Sequence, residues 1–189
     1  MKGAAEMKGL NIPVGVSDFE KIRSNGYYYI DKSGLIGELL RAGAEVTLIT
    51  RPRRFGKTLG MSMLEKFFDI RKDSRELFEG LEISERQDLC SKWMNQWPTV
   101  FLSLKSVDGL NFEGAYQQLV YEISLLYQKH DYLLESTALS EQDKFLFKQL
   151  RNRQSEKTDV MRSLQLLTRL LEQHYNKKVI LLIDEYDVP

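Results

Sequence analysis

Residues 46–58 read Val-Thr-Leu-Ile-Thr-Arg-Pro-Arg-Arg-Phe-Gly-Lys-Thr, an aliphatic run that feeds straight into Gly56, Lys57 and Thr58. The aliphatic and threonine residues favour a buried strand, and glycine permits the sharp turn that can open a helix behind it. A helix starting there offers unpaired N–H groups and the positive end of its dipole, which suits phosphate. Lys57 then supplies a mobile charge for the outer phosphates and Thr58 a hydroxyl for Mg²⁺. Far downstream, Val179-Ile-Leu-Leu-Ile183 gives a second apolar strand that ends in Asp184 and Glu185. Two adjacent carboxylates have no packing role at the end of so apolar a strand. Asp184 is expected to hold Mg²⁺ through its water shell and Glu185 to polarise an attacking water. Together the segments read as two halves of a nucleoside-triphosphate site. The competing reading is an ordinary strand, turn and helix, because the general phosphate-loop pattern asks for glycine five residues before Gly56, where this chain has Arg51.

The chain has 189 residues, 42% of them hydrophobic, enough to bury one domain-sized core with room for a helical insertion. Lys plus Arg and Asp plus Glu both number 27, so no global charge steers it toward nucleic acid or an anionic membrane. Cys90 is the sole cysteine, and the two histidines, His130 and His174, stand far apart, which argues against a disulfide framework or a zinc site. The start lacks an apolar signal core and no aliphatic run can span a bilayer, so a cytoplasmic protein with no membrane partner is expected. Met7-Lys8-Gly9 repeats the sense of Met1-Lys2-Gly3, which makes residues 1–6 a flexible tail ahead of a domain over 7–189.

Along the chain, a helix is expected over 19–23, capped by Ser17 or Asp18 and stopped by Asn25-Gly26. A β-prone patch follows at Tyr27 to Ile30, then a helix capped by Asp31 and broken by Gly43, then a strand over 45–50. The helix from Gly56 keeps Met61, Leu64, Phe67 and Phe68 at helical spacing, and Trp93 with Trp97 reads as a packing pair. A strand over 99–105 precedes a long amphipathic helix carrying Phe112, Tyr116, Leu119, Ile123 and Tyr127. Residues 143–151 read as a surface helical excursion, followed by one helix over 159–175 and the last strand. Alternating strands and helices imply a parallel sheet with right-handed crossovers.

Five boxes then carry a resemblance. Ile12-Pro-Val-Gly-Val-Ser-Asp-Phe19, Tyr28-Tyr-Ile-Asp-Lys-Ser33, Thr50-Arg-Pro-Arg-Arg-Phe-Gly-Lys-Thr58, Phe78-Glu-Gly-Leu-Glu-Ile83 and Leu182-Ile-Asp-Glu-Tyr-Asp-Val-Pro189 are similar to the bacterial AAA-ATPase-like proteins. These often carry a C-terminal nuclease-like domain of the PD-(D/E)XK type. The resemblance implies an α/β P-loop NTPase fold that binds ATP and Mg²⁺, with Gly56, Lys57 and Thr58 at the phosphates and Asp184 and Glu185 as metal and water-activating residues. Arg51 departs from the general loop but not from this family. The resemblance leaves Arg53 and Arg54 open: they brace the loop or touch phosphate, or they form a basic turn that docks another subunit or a nucleic-acid strand. It also puts the tyrosines at 27–29, with Asp31 and Lys32, where the wider class has adenine-contacting residues; read from the residues alone, they are core and helix cap. Tyr186 and Asp187 read as scaffold.

In that class the sheet order is 5-1-4-3-2, and strands 4 and 5 follow the Asp-Glu strand. The chain therefore reads as an N-terminal fragment lacking them, with strands 1 and 3 about 10 Å apart and their facing edges unpaired. Such a fragment is expected to pair those strands directly, capture a strand from another chain, or stay partly molten, with negligible ATP hydrolysis. Two further functions stay open beside the ATPase module: a non-catalytic nucleic-acid or protein binder using the arginine-rich loop, and a silent truncated product.

Overall fold

A computed structural model of the chain describes residues 11–50 and 55–185. The tail over 1–6, Arg51, Arg53, Arg54, Tyr186 and Asp187 lie outside the described residues, so the expectations placed on them have no structural counterpart here.

The centre of the fold is a two-stranded parallel sheet, β1 (Thr99–Ser103) and β2 (Ile180–Asp184), in the register Thr99 to Ile180 through Ser103 to Asp184. Strand alternation sends Val100 and Leu102 to one face and Phe101 to the other, where it sits beside its register partner Leu182. Each face carries a core. The first is roofed by α6 (Phe112–Gln128), α7 (Glu141–Arg151) and α9 (Ser163–Tyr175), which bury Ile123, Tyr127, Phe147, Leu150, Leu167 and Leu171. The second is built by α1 (Phe19–Ser24), α2 (Gly34–Ala42), α3 (Lys57–Phe68), α4 (Arg75–Phe78) and α5 (Gln87–Trp93) around Phe19, Ile36, Phe67 and Phe78. Of the expected parallel sheet with flanking helices, two parallel strands are present, and the wider P-loop sheet is not seen among the described residues.

Local sequence explains most boundaries. Asp18 caps α1 by accepting from Lys21 N–H, and Gly43 ends α2 in the left-handed region at φ 59°. Asn111 and Ser140 cap α6 and α7 in the same side-chain manner. Five expectations need correction. Residues 45–50 form no strand: the chain bends at Glu45 and Val46, and the segment makes no backbone hydrogen bond to a described residue, so no ladder forms. Residues 27–30 are likewise not a strand. Asp31 does not cap α2; its carboxylate accepts from Ser33 and Glu82 N–H, and Ser33 Oγ accepts from Ile83 N–H, so both side chains fasten the 3₁₀ turn Glu82–Glu85 to the start of α2. Burial works against the Asp31 charge, yet these amides hold its carboxyl below the usual carboxylate range. Finally, α7 is no surface excursion, since Phe147 and Leu150 are core, and the expected helix over 159–175 breaks at Arg162 into α8 (Lys157–Met161) and α9.

Helix α3 is tied at its C-terminal end to the start of the sheet. Ile70 N–H donates to Trp97 O and Trp97 N–H to Phe68 O, forming a short parallel bridge between Asp69 and Trp97 just ahead of β1. Trp93 stacks on Trp97 at 4.9 Å between ring centroids, as the i, i+4 spacing suggested. Phe67 touches Phe68 and Phe78 edge-on at the centre of this core. Phe67→Ala should therefore cost about 3–5 kcal/mol of unfolding free energy. Phe145→Ala, at a position 59% exposed on α7, should stay within about 0.5 kcal/mol of the parent in the same denaturant titration.

Candidate functional site

Gly56 stands at the N-cap of α3 with φ 75°, a left-handed conformation that a β-carbon would strain. No side chain caps this helix, no acid occupies its first turn, and the first helical bond runs from Gly60 N–H to Gly56 O. Among the described residues the preceding N–H groups have no partner, and they can serve an outside acceptor. Lys57 makes no ion pair with a described residue. Its ammonium is available at the mouth of the helix.

Facing that helix start is the C-terminal end of β2. Asp184 is only 3% exposed, its backbone carbonyl accepts from Leu104 N–H, and its Oδ2 has no hydrogen-bond partner among the described residues. A buried carboxylate oxygen without a partner is costly and calls for a cation or a donor. Glu185 follows at φ 55°, in the left-handed region that non-glycine residues seldom adopt.

Gly56, Lys57, Asp184 and Glu185 line one cavity of about 550 Å³. Its remaining walls are aliphatic: residues 44–49 on one side, Ile180 to Ile183 on the other, and Leu35, Leu39, Leu64 and Phe68 from α2 and α3. The sequence thus marked four residues that the fold brings to one chamber. Thr58 lies half-buried in the first turn of α3 and does not line this cavity. The aliphatic walls were legible only as packing faces, because nothing in a helix pattern says whether a leucine meets another side chain or empty space.

A second cavity, about 360 Å³, shares Gly56 and Gly60 with the first and is lined by Ile12, Tyr28, Ile30, Lys32, Phe55 and Leu59 among others. Tyr29 is divided between roles: its ring packs edge-on against Phe19 and its hydroxyl donates to Met63 Sδ, while it still borders this cavity. Tyr28 and Phe55 are both exposed there.

The donor set fits a hard divalent cation. Asp184 supplies the partnerless oxygen, and Glu185 on the same cavity adds an oxygen donor of the type Mg²⁺ prefers. No cluster of three or more His, Cys, Asp or Glu side chains forms among the described residues, so such an ion would take most of its ligands from water and phosphate.

Comparison with known proteins agrees with the resemblance. Residues 13–189 match the family model described as predicted AAA-ATPase, and the chain belongs to that family. It is 33% identical over 118 residues to an uncharacterized protein in the vnfD 5′ region of Azotobacter chroococcum mcd 1; the match covers 60% of this chain and 21% of that relative. The chain therefore spans about a fifth of the relative's length. No solved structure matches. Among the described residues no helix is long and apolar enough to cross a membrane.

The strain at Glu185 is testable by itself. Glu185→Gly removes the β-carbon penalty of a left-handed residue and should leave the fold as stable or more stable, by up to about 1 kcal/mol, in thermal or denaturant unfolding. A clear loss of stability would mean that the Glu185 side chain is held for structural reasons.

Proposed function

On the premise of that family, we propose that the chain is an ATP-binding module whose phosphates sit at Gly56, Lys57 and Thr58, with Asp184 and Thr58 as the Mg²⁺ residues and Glu185 as the group that activates water. The observation that supports it most directly is the meeting, in one cavity, of an uncapped helix start bearing Lys57 and a buried Asp184 oxygen that lacks a partner. Each is unfavourable alone, and an Mg²⁺-bound polyphosphate complements both. The free N–H groups of the first turn orient the phosphate chain, Lys57 offsets its charge, and Mg²⁺, when bound, screens the oxygens further. In this reading Glu185 accepts a proton from the attacking water. The base fits the second cavity, where Tyr28 and Phe55 offer exposed rings beside Gly56.

Binding and turnover separate in this reading. Lys57→Ala should weaken Mg²⁺-ATP binding at least about tenfold by calorimetry, since a charge-assisted phosphate contact is worth about 1.5–3 kcal/mol. Equal affinities of parent and variant would overturn the phosphate assignment. Glu185→Gln keeps the shape of the side chain but cannot act as a base. It should retain ATP binding and slow single-turnover hydrolysis by about 10²-fold or more. An unchanged rate would remove Glu185 from the chemistry.

A further inference from the structure

The cavity of about 360 Å³ beside Gly56 is walled mostly by apolar side chains, among them Ile12, Ile30 and Leu59. Among the described residues Lys32 is the one charged side chain on its lining. Lys32 is exposed and makes no ion pair with a described residue. The chain on either side of it is fastened. Asp31 accepts from Glu82 N–H at 2.7 Å and from Ser33 N–H at 2.8 Å, and the fully buried Ser33 accepts from Ile83 N–H at 3.1 Å. Tyr29, three residues earlier, is held by its packing on Phe19 and its hydrogen bond to Met63. The backbone of Lys32 is thus a fixed root at the rim of the cavity, and its flexible stem carries the ammonium inward.

What that ammonium can meet follows from its surroundings. Gly56 and Gly60 line both cavities, so a nucleotide with its phosphates at Gly56 to Thr58 extends its base toward this one. The exposed rings of Tyr28 and Phe55 offer stacking faces there, but stacking accepts every base because every base has a π face. Apolar walls are equally permissive. Orientation and choice in such a pocket come from the few polar groups placed on it. An ammonium has three donors and no acceptor, so on a purine it fits a ring nitrogen and not the exocyclic amino group of adenine, which is itself a donor. A phosphate contact fits less well. Lys57 already stands at the polar end of the larger cavity with Asp184, and Lys32 does not line that cavity.

Resting on the nucleotide reading above, we propose that Lys32 reads the base: its ammonium donates to a ring nitrogen of adenine, which orients the base and makes that nitrogen a requirement for tight binding. Stacking then supplies affinity, and Lys32 supplies the choice.

Calorimetry on the 189-residue chain with Mg²⁺ tests this, using ATP, its three deaza analogues, in which N1, N3 or N7 is replaced by C–H, and inorganic tripolyphosphate. One analogue should bind the parent about tenfold or more weakly than ATP, the loss expected for a hydrogen bond to a charged group, while the other two bind like ATP. Lys32→Met keeps the length of the stem and removes the charge. It should lose the same factor for ATP, bind ATP and the sensitive analogue equally, and keep the parent's affinity for tripolyphosphate, which also shows that the variant is folded. Equal affinity of the parent for ATP and all three analogues, or discrimination that survives in Lys32→Met, would overturn the proposal. So would an equal loss of ATP and tripolyphosphate affinity in Lys32→Met, which would move Lys32 to the phosphates. A parent that binds neither ATP nor tripolyphosphate would instead refute the nucleotide reading on which the proposal rests.

Discussion

The parallel pairing of β1 with β2 is the constraint on which the site depends. A parallel pair cannot be closed by a hairpin, so the chain between the strands must cross over the sheet, and here it does so with α6, α7, α8 and α9. That crossover buries one face of the sheet and leaves the other for α3. The register sets Asp184 opposite Ser103, at the C-terminal end of both strands, which is where open α/β sheets bind ligands. The bridge between Asp69 and Trp97 then fixes the far end of α3 at the opposite, N-terminal end of β1. With its tail held there, the helix can only point its N-terminus back toward the carboxylates of β2. Convergence of Lys57 and Asp184 on one cavity is thus a consequence of strand direction and one short bridge.

The two cores are joined by a polar node that depends on the same bridge. Asp69 is fully buried and accepts from Arg71 through Nε and Nη2; Arg71 Nη1 donates onward to Lys129 O at the end of α6. Burial opposes the charge on Arg71, but the Asp69 carboxylate more than restores it and raises the guanidinium above its ordinary value. His130, beside them, is governed by burial first and by Arg71 second, which push its imidazole down to about 3 and keep it neutral. Its Nδ1 lies 3.2 Å from the Tyr132 hydroxyl. Breaking one member of such a buried pair strands the other charge, which costs far more than an exposed pair is worth. The node thus makes the position of α3 stiff relative to α6, and nothing in it faces the cavity, so it supports the site without entering its chemistry.

Sequence made the helices with strong periodicity and the two chemical boxes legible, and physics explains where it stopped. Helix α3 and its Gly56 start follow from local chemistry, as do the ends of β2 and the cap of α1, because each depends on neighbours within a few residues. The strand expected over 45–50 depends instead on an edge that only another strand can supply, and aliphatic composition cannot report whether that edge is filled. Helix α7 hid Phe147 and Leu150 among charged residues, since two buried positions one turn apart give little periodicity. Asp31 resembled a helix cap because the residue types for a cap and for a cross-chain amide acceptor are the same; its partner Glu82, like Ile83 for Ser33, is about fifty residues away. The tyrosines at 28 and 29 were legible as aromatic but not as divided, one facing the cavity edge and one partly in the core. Gly56, Lys57, Asp184 and Glu185 emerged as a set because their chemistry has no packing explanation, whereas the aliphatic walls that shape the cavity do.

What distinguishes this cavity physically is how many unfavourable features gather around it. One side has a glycine in the left-handed region and an uncapped helix start; the other has a buried oxygen without a partner, a left-handed glutamate and an unpaired strand edge. A left-handed glutamate alone costs about 1–2 kcal/mol, and a buried polar atom without a hydrogen bond about 1–3 kcal/mol. Against a typical net stability of about 5–15 kcal/mol, such costs do not persist by accident of packing. Elsewhere the chain shows the reverse economy: Asp69, Ser33, Asn95 and the Tyr127 hydroxyl are buried or half-buried, and each has its partner. The Asp184 oxygen that lacks a partner among the described residues leaves the polar end of that chamber for a cation or a donor to complete. An anion with its cation at that polar end is a completion the geometry admits.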